Sequence, residues 1–151
     1  MAVIDIARKN IATGSPDESV AAVVRRMHED EVSGLIIVED DKPLALVTHR
    51  DLTPALLEDG FDPENTPISE FIRGEVVTID ADEGLYDALD HFSDKGIRRA
   101  PVVDENGELA GIISISDIVV LLAMELQHVA NTIRSSSPAY EREGVEFYER
   151  E

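Results

Sequence analysis

The sequence predicts an α/β protein: two pseudo-symmetric copies of one strand-helix-strand-strand-helix unit, packed through their sheets, with an extended C-terminal helix. Three observations carry this prediction. Ile11-Ala12-Thr13 with Asp17-Glu18 returns 65 residues later as Val76-Val77-Thr78 with Asp82-Glu83. The run Leu44 to Asp51 returns 66 residues later as Ala110 to Asp117. The apolar stripe Val20, Val23, Val24, Met27 has its counterpart in Leu85, Ala88, Leu89, Phe92. A period this long exceeds any single helix or hairpin, so each copy is a whole supersecondary unit. The midline of such a pair is a cleft lined twice by equivalent residues.

The elements follow in order. Ile11-Ala12-Thr13 reads as the first short strand. Ser15-Pro16-Asp17-Glu18 then supplies capping groups and first-turn carboxylates for a helix. Its apolar residues fall at i, i+3, i+4 and i+7 and so face a sheet. Leu35-Ile36-Ile37-Val38 and Leu44-Ala45-Leu46-Val47 are two strands joined across Glu39 to Pro43. Gly60 to Pro67, rich in turn formers, leads into the second copy. There Asp80-Ala81-Asp82-Glu83 precedes the second helix, and Pro101-Val102-Val103 and Leu109 to Ile113 form the paired strands. Asn106-Gly107 between them predicts a hairpin turn that needs positive φ. The strand runs are continuous rather than alternating, as expected of sheets covered on both faces.

The last helix begins near Ser116 and carries Ile118, Leu122, Leu126, Val129 and Ile133 on one stripe. Val119, Leu121 and Met124 widen the stripe beyond the needs of one packing partner, which predicts a subunit contact. Ser135 to Ser137, Pro138 and the charged tail to Glu151 are expected to be a mobile end or a strap that orders on a partner. The division expected is a first copy over 1–60, a linker over 61–67, a second copy over 68–127, and a helix end and tail over 128–151.

Composition excludes several function classes. The formal net charge is −19, from 32 acidic and 13 basic residues. Such a surface repels phosphate backbones, so nucleic-acid binding is not expected. It also repels its own copies until, in molar salt, the Debye length falls to about 3 Å. Many acids, only three lysines and an ordinary apolar content of 43% match a halophile's cytoplasmic protein. No apolar run approaches the ~20 residues of a membrane span, and the first residues lack the pattern of a secretory signal. There is no cysteine, hence no thiolate metal site. His28, His49, His91 and His128 lack metal-ligand spacing, and surface helix positions account for them. No G-x-x-x-x-G-K loop and no nucleophile-base pairing is present, so neither a cofactor nor catalysis is expected.

Function is expected where both copies end a strand with a hydroxyl and place a carboxylate three residues on: Thr48 with Asp51, and Ser114 with Asp117. Capping alone accounts for such a pair, since a hydroxyl and an acid at this spacing satisfy free helix amides. A second reading starts from ligand chemistry. A carboxylate is a double acceptor that matches two vicinal hydroxyls, and a helix start beside it favours a nearby phosphate. Strand ends facing a cleft are where α/β sheets bind ligands.

The repeated unit, the run Pro101-Val102-Val103-Asp104-Glu105-Asn106-Gly107-Glu108-Leu109-Ala110-Gly111-Ile112-Ile113-Ser114 and its closing Asp117 resemble a cystathionine-β-synthase (CBS) domain. The tandem arrangement is similar to a CBS pair, or Bateman module. The first copy departs from the pattern: Leu35 stands for Pro101, Ala45 for Gly111, and Lys42-Pro43 for the glycine turn.

The resemblance implies a regulatory module that binds AMP, ADP, ATP or S-adenosylmethionine and signals to an effector protein, as a homodimer forming a flat disc. It implies ribose held by Asp51 and Asp117 with Thr48 and Ser114, and adenine near Ala12-Thr13 and Val77-Thr78. It also implies phosphate reached by Arg98 and Arg99, with His49 and Arg50 as a weaker cationic pair. Ser33-Gly34 stands where the second copy has its arginines, so the second copy's acid is expected to be the better served. The rival expectations are a ligand-free interaction module acting through the last helix, and a small enzyme acting on nucleotides.

Overall fold

The computed structural model describes residues 1–136. Residues 1–115 form one compact unit, and the expected repeat is present. The first copy runs β1 (Thr13–Gly14), α1 (Val20–Glu29), β2 (Gly34–Glu39), β3 (Lys42–Thr48) and α2 (His49–Leu56). The second runs β4 (Ile79–Asp80), α3 (Leu85–Lys95), β5 (Arg99–Val103) and β6 (Leu109–Ser114), followed by α4 (Ile115–Ser136). Each copy has a three-stranded sheet, β1-β2-β3 and β4-β5-β6. The outer short strand pairs parallel with the middle strand, and the middle strand pairs antiparallel with the last. A parallel pair cannot be closed by a hairpin, which is why a helix lies between its strands in both copies.

Helix α1 buries Val20, Val23 and Met27 as the spacing predicts. Its cap differs from expectation. Ser19, not Ser15 or Asp17, accepts the Ala22 N–H at 3.1 Å. Glu18 turns away to accept the Ser15 N–H at 2.6 Å and both guanidinium arms of Arg26. The Arg26 hydrogen bonds hold the Glu18 carboxyl below the usual glutamate range, and Glu18 in turn raises Arg26. The folded value is depressed, so this pair stabilises above the ordinary glutamate range and its contribution is lost as pH falls through the lowered value. Thermal melting of Glu18→Gln should therefore lie below wild type near neutrality, and the two should converge in acid. In the second copy the equivalent positions hold Glu83 and His91, 3.2 Å apart. His91 is exposed on α3, as expected of a surface helix position, and lies beside the Glu83 carboxylate.

The two hairpins use different turn chemistry. Asp40 and Asp41 both take positive φ, 49° and 62°, joining Glu39 to its partner Lys42. Aspartate tolerates this region because its short side chain bonds locally. In the second hairpin only Gly107 is left-handed, at φ 76°. The turn spans Asp104 to Glu108 as expected, and in it Asp104 Oδ1 accepts the Asn106 and Glu108 N–H groups at 2.9 and 3.0 Å.

The segments that lead into each copy are exchanged. A 3-10 turn at Val3–Asp5 sits on the second copy, with Val3 N–H donating to Glu83 at 2.9 Å and Ile4 N–H to Ala81 at 3.0 Å. A 3-10 turn at Ile68–Phe71 sits on the first, with Ile68 N–H donating to Glu18 at 2.8 Å and Ser69 N–H to Pro16 at 3.0 Å. These are the same bonds, displaced by one repeat. Ile68 completes the core formed by Val20, Val23, Met27, Leu35, Ile37, Val47 and Leu52. Full burial of such a side chain contributes about 1.5–3 kcal/mol, so each copy is stabilised by chain that precedes the other.

Helix α4, taken by itself, exposes Val119, Leu122, Leu126, Val129 and Ile133. Of the segment from Ser135 expected to be a mobile end or strap, Ser135 and Ser136 are the last residues of α4; the rest, 137–151, lies outside the described residues.

Candidate functional site

Where the two copies meet, a cavity of about 590 Å³ opens, within the range of roughly 300–1,000 Å³ typical of small-molecule sites. Its apolar wall comes from both copies: Leu44, Ala45 and Leu46 of β3, Val76 and Val77 before β4, and Ile97 and Pro101 around the start of β5. These β3 residues are half-buried: Ala45 packs against the core of its own copy, and all three border the hollow. The rim is charged. Arg50, Asp51 and Glu58 come from α2 and its end, Arg73 and Glu75 from the chain before β4, and Arg99 from β5. Three arginines therefore converge on one hollow in a chain of net charge −19.

Asp51 lies in the first turn of α2. Its Oδ2 accepts the Thr48 N–H at 2.8 Å and the Thr48 hydroxyl at 2.9 Å. The capping reading of this pair is thus realised. It engages one carboxylate oxygen: among the described residues no hydrogen bond is made to Oδ1, and Asp51 still lines the cavity. Arg99 donates to the Ser33 hydroxyl at 2.9 Å. Ser33 is the residue equivalent to Arg99 one repeat earlier, so this bond crosses the pseudo-two-fold axis. Among the described residues Arg99 makes no ion pair. A cation held by a neutral hydroxyl keeps its charge uncompensated and available to an anion.

Of the residues expected from sequence, Asp51, Arg50, Val77 and Arg99 are brought to this cavity, and Thr48 supports Asp51 from behind. The others are placed elsewhere. Thr13 pairs with Ile36 in the β1-β2 ladder, and the Ala12 carbonyl accepts the Ile36 N–H at 3.2 Å. His49, Thr78 and Arg98 do not line the cavity; the Arg98 carbonyl accepts the Ile115 N–H at 2.9 Å. Ser114 is buried at the end of β6, and Asp117 stands in the first turn of α4. Arg99 and Asp51, which share the hollow, belong to different copies, whereas sequence order groups Arg99 with Asp117. Sequence reading missed Arg73, Glu75 and Glu58. A signal for Arg73 existed, since Arg8 stands 65 residues before it.

Among the described residues no cluster of histidines and acids could hold a metal ion, and no helix is long and apolar enough to cross a membrane.

Comparison with known proteins places these features in context. A family model for the CBS domain matches residues 3–58 and again 68–124. The uncharacterized protein MK0525 of Methanopyrus kandleri is 34% identical over 120 residues, which span 79% of this chain and 61% of that protein. The chain thus covers less than two thirds of this relative's length. Among solved structures, the conserved CBS-domain protein TA0289 of Thermoplasma acidophilum superposes with a TM-score of 0.68 at 25% identity, over 79% of this chain and 67% of that one. The CBS domain pair of protein MJ0100, solved with 5′-methylthioadenosine and S-adenosylmethionine, gives 0.69 at 25% identity, over 81% of this chain and 99% of that one.

Proposed function

The chain belongs to the CBS-domain family and carries two such domains in tandem, and from that premise we propose that it binds an adenosine-containing ligand (AMP, ADP, ATP or S-adenosylmethionine) and works as a regulatory module. The observation that carries this reading is the cavity: an apolar wall for a planar base, the Asp51 carboxylate for a ribose, and Arg50, Arg73 and Arg99 for phosphate. Each feature matches one part of a nucleotide, and the related pair of MJ0100 holds two adenosine compounds. The cavity draws its residues from both copies. A ligand there favours one arrangement of the copies, to the extent of its differential affinity for that arrangement. Output then passes to an effector protein, without catalysis. The acidic surface fits the cytoplasm of a salt-accumulating cell.

Calorimetric titration with AMP, ATP and S-adenosylmethionine in molar salt tests the reading. Heat and a raised melting temperature with at least one ligand, with the nucleotide recovered unchanged, is the expected result. No heat and no melting shift with any of the three would sink it.

A contact between two copies of this chain through α4 has its own support. Val119, Leu122, Leu126, Val129 and Ile133 are all exposed and alternate at spacings of three and four, a coiled-coil seam. From Ile118 to Ser136 the only charged residues are Glu125 and Arg134. Copies of net charge −19 approach most easily through such a neutral stretch. Light scattering of the full chain should give the mass of a dimer, and Leu126→Asp should give that of a monomer. A wild-type monomer at every salt concentration would end this proposal.

A further inference from the structure

The two copies treat one equivalent position in opposite ways. In the first copy Ala45 and Leu46 of β3 line the cavity, together with Arg73. Their equivalents in the second copy are Gly111 and Ile112 of β6, and Arg8. There the strand edge is occupied by the chain itself: Arg8 N–H donates to Ile112 at 2.9 Å, and Ile112 N–H donates back to Arg8 at 3.0 Å. Among the described residues no backbone hydrogen bond joins Arg73 to Leu46.

The cause is local volume. A Cβ built on Gly111 would stand 3.0 Å from the Ala7 Cβ and 3.3 Å from the Arg8 carbonyl oxygen. Two small residues, Ala7 and Gly111, therefore let the segment close on the strand. The equivalent pair is Ile72 and Ala45, which is bulkier on both sides and keeps the segment off. Immediately beyond, Gly74 takes φ 70° and turns the chain, whereas the equivalent Lys9 is not among the left-handed residues. The exchanged segments match bond for bond at Val3 and Ile68, and they part company where Ala7 is replaced by Ile72.

We propose that the chain offers one ligand crevice rather than two: Ala7 and Arg8 latch the second shut against β6, and Gly111 decides between the latched and open forms. The part that concerns the ligand rests on the adenosine reading above; the latch itself does not.

Amide hydrogen exchange at Arg8 and Ile112, read by NMR on the full chain, and calorimetric titration with AMP test this together. In wild type both amides are protected and one AMP binds per chain. In Gly111→Ala both amides exchange about tenfold faster or more, and the stoichiometry rises to two. Unprotected amides in wild type, two AMP per wild-type chain, or protection unchanged by Gly111→Ala each overturn the latch. Freed amides with the stoichiometry still at one also overturn it. Amides protected in wild type and freed by Gly111→Ala, with no AMP heat from either protein, support the latch and overturn the adenosine reading. The converse double variant, Ile72→Ala with Ala45→Gly, keeps the test alive if Gly111→Ala fails to fold. It should create new protection at the Arg73 amide, and an Arg73 amide that exchanges as before counts against the latch.

Discussion

Asp51→Ala should weaken AMP binding by roughly 10- to 100-fold, the span of a lost charge-assisted hydrogen bond or pair of bonds. The carboxylate is exposed on the cavity rim, and one of its oxygens is already committed to Thr48. The remaining oxygen is the acceptor available to a ribose. Two effects must be separated, because Asp51→Ala also removes the acceptor for the Thr48 N–H, and losing a helix-start contact of this kind costs about 0.5–2 kcal/mol. Asp51→Asn retains an acceptor for that amide but loses the charge. It should therefore melt close to wild type and still bind AMP poorly. In the wild type 2′-deoxy-AMP should bind more weakly than AMP, and Asp51→Ala should level the two. Equal affinity of wild type for the ribo and deoxy forms would remove the ribose from the argument. Asp117→Ala is expected to matter less than Asp51→Ala, reversing the order that grouping by copy implies, since the arginine-rich hollow holds Asp51.

Arg99→Ala should weaken AMP by about tenfold at low salt and by less in molar salt, where an exposed charge pair is screened. Adenosine, which has no phosphate, should bind the variant as it binds wild type. Arg98→Ala is the control: its side chain does not line the cavity, so it should bind AMP as wild type does. A loss shared equally by AMP and adenosine would show that Arg99 acts by holding the two copies together through Ser33, not by meeting phosphate.

The path from sequence to site was uneven for reasons visible in single residues. The stripes of α1 and α3 were legible because burial imposes a period of three and four along the chain, and Val20, Val23, Met27, Ala88 and Phe92 are all buried. Turn chemistry was legible only in part. Gly107 takes the positive φ expected of the turn, whereas the bonds that Asp104 Oδ1 accepts from the Asn106 and Glu108 amides had no signal in spacing alone. The helix cap was displaced to Ser19 because Glu18 found Arg26, two turns on, a better partner than the helix amides. Likewise the approach of His91 to Glu83 was hidden by eight residues of separation.

The sequence by itself determined the two copies, their order of elements, the apolar faces that form their cores, and the acid three residues past each strand-end hydroxyl. All of these depend on neighbours within a turn or a strand, where spacing along the chain stands in for distance. Only the tertiary structure decided that the leading segments change places, that Arg99 serves the hollow of Asp51, and that Gly111 lets Arg8 close on β6 where Ala45 leaves an opening. Those outcomes depend on contacts between residues some 50 to 105 positions apart. There a difference in side-chain volume at two facing positions, Ala7 with Gly111 against Ile72 with Ala45, accompanies a closed edge in one copy and an open one in the other.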